Sequence, residues 1–134
     1  MSDALHADDR YARGIVAYAS EFGIEESAVE AHMSEMVGER MAREAIMAIG
    51  GGAWEDDVLS LRDRSLIVVA SLISQGGVDA RLRAHIRWAL EHGVSPEQLE
   101  ALITLLAIYA GYPRASIGME IAREEMAAAR HASA

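Results

Sequence analysis

The sequence contains no cysteine. This absence excludes disulfide bonds, thiolate metal ligands, a CxxC redox pair and a cysteine nucleophile. Positive charge is also scarce, because 12 basic side chains stand against 21 acidic ones and the formal net charge is −9. Nucleic-acid-binding proteins need clustered positive charge, so we expect no nucleic-acid partner.

Long apolar runs are missing as well, although hydrophobic residues make up 51% of the chain. No run approaches the roughly 18 apolar residues of a membrane-spanning helix, so we expect no membrane partner. The N-terminal segment MSDALHADDRYARG has no basic stretch followed by an apolar one, which predicts no signal peptide and a cytoplasmic protein. The length of 134 residues predicts a single domain over residues 1–134 with a core of its own.

Proline and aromatic residues are few, with 2 Pro, 1 Phe and 2 Trp, whereas 7 Met suggest an adaptable core. Apolar residues recur at helical spacing, and glycines fall at the ends of the periodic segments. Together these patterns predict an all-α fold, a bundle of about six helices. The predicted helices run from a cap at Ser2 or Asp3 to residue 21, then over 25–49, 60–75, 78–92 and 95–110, with a last helix through Met126.

Two serines carry clear start signals for helices. Ser60 is followed three residues later by Asp63, and Ser95 is followed by Pro96 and Gln98, as in a capping box. The segment after Ser95, LEALITLLAIYAG, is apolar on nearly every side. Such a helix is typical of the centre of a bundle or of an oligomer interface.

Glycines interrupt the chain in two places. Gly38 is predicted to bend or interrupt the second helix, and the triple glycine 50–52 follows it. A phosphate-binding loop would need a strand before the glycines and a Lys-Ser or Lys-Thr pair after them, so we interpret 50–52 as a hinge or loop. Trp54 then either anchors that loop or forms one wall of a pocket.

Polar side chains on otherwise apolar helix faces mark a candidate site. Arg64 and Ser65 lie on the apolar stripe of the third predicted helix, and His85 lies on that of the fourth. Burying such groups without partners is costly, so something must satisfy them. Each has a structural alternative: His85 as a hydrogen-bonded core histidine, and Arg64 as the partner of Glu100, Glu120 or an acid of another subunit.

Two further polar residues close helices. His92 stands before Gly93 and is predicted to interact with the helix end and nothing more. Tyr109 is expected to pack in the core with its hydroxyl group on a backbone carbonyl. His85 and His92 share one predicted helix, but no third residue has the spacing of a ligand, so we expect no metal.

Four segments in order resemble the carboxymuconolactone decarboxylase family. They are Arg64-Ser65-Leu66, Leu82-Arg83-Ala84-His85, the turn from His92 through Gly93-Val94-Ser95 to Gln98, and Tyr109-Ala110-Gly111-Tyr112-Pro113. The resemblance covers about half of the chain. It implies an all-α fold shared with the alkylhydroperoxidase D group, and a homo-oligomer, a trimer or hexamer, in which the subunits are intertwined.

Two features of the resemblance point to the decarboxylase branch of this family. Val78 and Arg81 stand about where alkylhydroperoxidase-type members carry their CxxC pair. Ser65 stands near a position at which those members tend to have glutamate. The resemblance therefore implies decarboxylation of a carboxymuconolactone-like lactone acid in aromatic catabolism, and it does not extend to peroxidase activity.

The chemistry of such a substrate suggests a role for each candidate residue. The departing carboxylate is vinylogous to the lactone carbonyl, so the substrate is its own electron sink and no cofactor is needed. Arg64 suits carboxylate binding or charge stabilisation, and His85 suits proton delivery. Ser65 or Tyr109 would orient a lactone oxygen, and Trp54 would close the pocket.

Two other kinds of function stay open at this stage. One is a different small-molecule reaction in the same pocket, such as isomerisation or hydrolysis of a lactone. The other is a non-catalytic oligomeric protein that binds such ligands, because a shared fold does not establish a shared function.

Overall fold

The computed structural model describes residues 7–133, which contain helices and loops and no strand. The all-α prediction is confirmed. The elements are α1 (Ala7–Phe22), a 3-10 turn (Glu26–Ala28), α2 (Val29–Val37), α3 (Glu39–Ile49), α4 (Gly52–Glu55), α5 (Leu61–Gln75), α6 (Asp79–Glu91), α7 (Pro96–Tyr109) and α8 (Tyr112–Ser133). The cap predicted at Ser2 or Asp3 lies outside the described residues.

The chain divides into two compact units, an N-terminal unit up to Val58 and a C-terminal unit from Leu59. In the N-terminal unit, α1 and α2 both pack against α3. Its core consists of small and medium apolar side chains, namely Ala19, Val29, Met33, Ala42 and Ile46.

The second predicted helix is interrupted where the sequence indicated. Gly38 ends α2 and precedes α3 with φ 84° and ψ 153°, a conformation that glycine adopts far more readily than other residues. Beyond α3, the loop at Gly50 is held by α1. The guanidinium of Arg13 donates two hydrogen bonds to the carbonyl of Gly50, at 3.2 and 3.0 Å, and pairs with Glu55 at 3.2 Å.

In the C-terminal unit, α5, α6, α7 and α8 enclose one core. Both predicted caps are present: Ser60 Oγ accepts from the backbone N–H of Asp63 at 3.0 Å, and Ser95 and Gln98 form a complete capping box. The largest fully buried side chains of this core are Val69 of α5, Ile86 of α6, and Leu99 and Ile103 of α7.

Helix α7 buries only part of its apolar surface inside the unit. Leu99 and Ile103 are fully buried, whereas Leu105, Ile108 and Tyr109 are 57%, 76% and 80% exposed. The predicted core position of Tyr109 is therefore wrong within the chain. The physical reason is that Tyr109 is the last residue of α7 and lies beyond Leu106 and Ala107, where the packing of this helix against the core ends.

Helix α6 is tied to α8 by charge as well as by packing. The carboxylate of Glu125 is almost buried and accepts from Arg83 at 3.4 Å and from Arg87 at 3.2 Å. Hydrogen bonds to charged groups are stronger than neutral ones, so these contacts add to the packing of Leu82, Ile86 and Ala89 in holding α6 in place.

Close contact between α1 and α3 generates a stability prediction. A Cβ atom at Gly14 would overlap the carbonyl oxygen of Ile46, so Gly14→Ala must push the two helices apart. We expect the free energy of unfolding to fall by roughly 1–3 kcal/mol, the usual cost of overpacking. Urea denaturation followed by circular dichroism measures the change.

A matched control for this substitution is Gly52→Ala. A Cβ atom at Gly52 meets no other atom within 4 Å, so this variant should keep the stability of the parent protein. Equal stability of the Gly14 and Gly52 variants would contradict the close packing of α1 on α3.

Candidate active site

The site begins with a buried serine on the second turn of α5. Ser65 is 6% exposed, and its hydroxyl oxygen lies 2.7 Å from Nδ1 of His92. The cap at Ser60 fixes the start of α5, and with it the direction in which Ser65 points. A serine predicted only from its place on an apolar stripe thus has a specific side-chain partner.

His92 reaches this serine because the end of α6 is locked by hydrogen bonds. The backbone N–H of Gly93 donates to Leu90 at 3.2 Å, and that of Val94 donates to Ala89 at 3.0 Å. This is the Schellman arrangement, and Gly93 takes the left-handed φ of +93° that it requires. The prediction that His92 interacts only with the helix end is wrong, since its side chain binds Ser65.

His85 lies two turns earlier on α6 and is half-buried. Its ring meets the ring of Trp88 edge to face, with the centroids 4.7 Å apart. Burial lowers the pKa of His85 below its usual value, and electrostatic interaction with Arg81 and His92 lowers it further. The imidazole is therefore mainly neutral at neutral pH, and its protonated form is a stronger acid than an ordinary histidinium.

Arg64 immediately precedes Ser65 on α5, and its Nε atom is shielded from solvent. Of the two acids considered as its partners, Glu100 binds Arg123 of α8 at 2.9 Å and Glu120 lies exposed on α8. Arg64 thus brings a guanidinium group to the same turn of α5 as the Ser65 hydroxyl.

The structure brings together part of the predicted set. Ser65 contacts His92, His92 acts electrostatically on His85, and Arg64 adjoins Ser65 in the chain. Tyr109 lies exposed at the end of α7. Trp54 belongs to α4 of the N-terminal unit, where it is half-buried, and its role in a pocket stays a prediction.

Two residues of the site, His92 and Trp88, were not assigned to it from the sequence. His92 lies seven positions after His85, close to two helical turns, so both side chains fall on one face of α6. Trp88 lies three positions after His85 and shares that face for the same reason. The shared helix of His85 and His92 was evident from the sequence, but a histidine beside a helix-ending glycine also has an ordinary role as a cap, so His92 was not assigned to the site.

The residue types of the candidate site define what it can do chemically. His85, His92 and Ser65 provide two imidazoles and a hydroxyl for transferring a proton, and Arg64, next to Ser65 in the chain, adds a guanidinium that can bind an anion. Within residues 7–133, no three side chains of the metal-binding types come together. Across the same residues, no helix is long and apolar enough to span a bilayer.

Comparison with known proteins identifies the family to which the chain belongs. Residues 41–124, more than half of the chain, match the Carboxymuconolactone decarboxylase family, and the chain belongs to this family. Over 74 residues it is 35% identical to a 4-carboxymuconolactone decarboxylase of Acinetobacter baylyi. That alignment covers 55% of this chain and 54% of the relative, so the chain matches about half the length of that protein.

The environment of His85 leads to a prediction about its titration. Arg81→Gln removes one of the positive charges that disfavour the histidinium, so we expect the pKa of His85 to rise toward its ordinary value. The rise should be small because burial is the larger cause and Arg81 is exposed to screening by salt. Titration of the ring protons by NMR measures it.

Arg123→Gln serves as the control for this titration. Arg123 also carries one positive charge, but it lies on α8 and pairs with Glu100. Its removal should leave the pKa of His85 unchanged. An equal rise in both variants would show that His85 responds to the net charge of the protein rather than to Arg81.

Proposed function

We propose that this protein decarboxylates a carboxymuconolactone-like lactone acid without a cofactor, as a step of aromatic catabolism. The observation that carries the proposal is a half-buried histidine, His85, on the same face of α6 as His92, whose side chain contacts Ser65 of α5. Membership of the decarboxylase family and the similarity to a 4-carboxymuconolactone decarboxylase support it.

The reaction needs only binding, charge stabilisation and one proton transfer. When the bond between the ring carbon and the carboxylate breaks, carbon dioxide leaves. The electron pair moves through the double bond to the carbonyl oxygen of the lactone. The resulting dienolate is then protonated on the ring carbon alpha to the carbonyl. Each step uses groups that ordinary side chains supply.

Arg64 and His85 divide these tasks. The guanidinium of Arg64 presents a fixed fork of donors to a carboxylate of the substrate. His85 delivers the proton, and its lowered pKa makes the histidinium a better donor to a weakly basic carbon. Ser65 adjoins Arg64 in the chain, and its hydroxyl is engaged by His92.

The remaining assignments depend on assembly. The exposed apolar side chains at the end of α7, Leu105, Ile108 and Tyr109, form an apolar surface, and Tyr112 at the start of α8 is also exposed. We propose that a second copy of the chain covers this α7 surface in a homotrimer or homohexamer. Tyr109 would then line the substrate pocket, and the role of Trp54 in a pocket stays a prediction. A cytoplasmic location stays a prediction.

Turnover of 4-carboxymuconolactone tests the proposed reaction. We expect purified protein to release carbon dioxide and His85→Ala to lose on the order of 10²–10⁴ in rate, the usual contribution of a general acid. A donor must be protonated, so kcat/KM should fall tenfold per pH unit above the lowered pKa of His85. An assay across pH values records both effects.

His131→Ala is the matched control, because His131 lies exposed near the end of α8. It should retain full turnover and the same pH profile. Equal rates for the His85 variant and the parent would remove His85 from the mechanism. Saturable binding of the lactone acid without carbon dioxide release would instead favour a ligand-binding protein.

The proposed assembly predicts a change of mass. Ile108→Glu places a charge in the middle of the α7 surface, where burial against a second copy would be costly. We expect light scattering after size exclusion to show a trimer or hexamer for the parent protein and smaller species for this variant. Met41→Glu, at an exposed methionine of α3, is the control and should keep the parent mass. A monomeric parent protein would contradict the proposed assembly.

A further inference from the structure

The hydroxyl group of Ser65 differs from those of three other helical residues, Ser74, Thr104 and Ser133. Ser74, Thr104 and Ser133 each donate to the carbonyl oxygen four residues earlier, at 2.8, 2.7 and 3.0 Å. This is the usual bond of a serine or threonine inside a helix. Among the described residues, the hydrogen-bond partner of Ser65 is instead His92 Nδ1, at 2.7 Å.

This difference determines the direction of the Ser65–His92 bond. A buried hydroxyl group needs an acceptor for its proton. Since Ser65 does not donate to its own helix, the acceptor at hand is the Nδ1 atom of His92. An acceptor nitrogen carries no proton, so the neutral ring of His92 must carry its proton on Nε2.

His92 therefore offers an N–H donor rather than a base. Its backbone is held by the turn at Gly93, and its ring is held by Ser65, so the direction of the Nε2–H bond is fixed in advance. The side chain lies on the α6 face that carries His85. Fixed donors of this kind stabilise negative charge that develops on an oxygen during a reaction.

We propose that His92 is a second catalytic residue and that Ser65 is its positioning residue. The Nε2–H group of His92 donates a hydrogen bond to the former carbonyl oxygen of the lactone, which carries the negative charge of the dienolate. The inference rests on the proposed decarboxylation. In that reaction His85 gives its proton to carbon, while His92 keeps its proton and only donates a hydrogen bond. A neutral imidazole is suited to this role because it stabilises the oxyanion without protonating it.

Two substitutions at position 92 separate the two nitrogens of the ring. Asparagine keeps a polar group near the Nδ1 position, within reach of Ser65, but has nothing at the Nε2 position. Glutamine places an amide N–H near the Nε2 position. We expect His92→Asn to lower kcat for 4-carboxymuconolactone on the order of 10²-fold, as loss of an oxyanion donor does, with little change in KM. His92→Gln should retain clearly more activity than His92→Asn.

Ser65→Ala tests the positioning role. Without its partner the ring of His92 can rotate, so kcat should fall roughly 10-fold while the His92 ring itself remains. Ser74→Ala is the matched control, because it removes a hydroxyl group from the same helix that bonds only to its own turn. This variant should keep the parent kcat. Equal kcat values for the two serine variants would overturn the positioning role.

Nitrogen NMR of the parent protein at pH 8 measures the tautomer without reference to activity. We expect His92 to show a protonated Nε2 and an unprotonated Nδ1. A proton on Nδ1 would overturn the direction of the bond and the donor role, even in an active enzyme. Parent kcat in His92→Asn would overturn the donor role alone.

These outcomes are distinct from failure of the proposed function. If the parent protein releases no carbon dioxide, decarboxylation is wrong and the donor role fails with it. If the parent protein is active and His85→Ala is not, but His92→Asn equals the parent, the decarboxylation stands and only the inference about His92 fails.

Discussion

One hydrogen bond sets the geometry of the candidate site, the 2.7 Å contact between Ser65 on α5 and His92 at the end of α6. It can form because two helix ends are fixed independently, the start of α5 by the cap at Ser60 and the end of α6 by the turn at Gly93. Glu125 of α8 accepts hydrogen bonds from Arg83 and Arg87 and so ties α6 to α8. Both histidines lie on the helix that these contacts hold.

Much of the fold could be predicted because its signals are local. The caps at Ser60 and Ser95 and the break at Gly38 each depend on a few neighbouring residues, and each is present. The position of Tyr109 could not be predicted in this way. Its helix is apolar on nearly every side, so the sequence pattern does not say which side meets the core of its own chain.

The site was predictable in part for the same reason. Arg64, Ser65 and His85 stand out because they are polar groups on apolar stripes, which is a property of one helix at a time. The pairing of Ser65 with His92 joins residues from two helices, and it depends on how those helices are rotated and offset. A single sequence carries no periodic signal for that offset, and the ordinary capping role of a histidine before glycine explained His92 without it.

The two imidazoles, His85 and His92, show how two residues of the same type on one helix can supply different chemistry. Burial and the charge of Arg81 favour loss of the proton from His85, which suits a donor to carbon. Under the proposed mechanism, Ser65 donates to one nitrogen of His92, so the other nitrogen keeps its proton and can only donate a hydrogen bond. Proton delivery and oxyanion stabilisation are then divided by environment rather than by residue type. The proposed reaction needs no cysteine, because the substrate itself accepts the electrons.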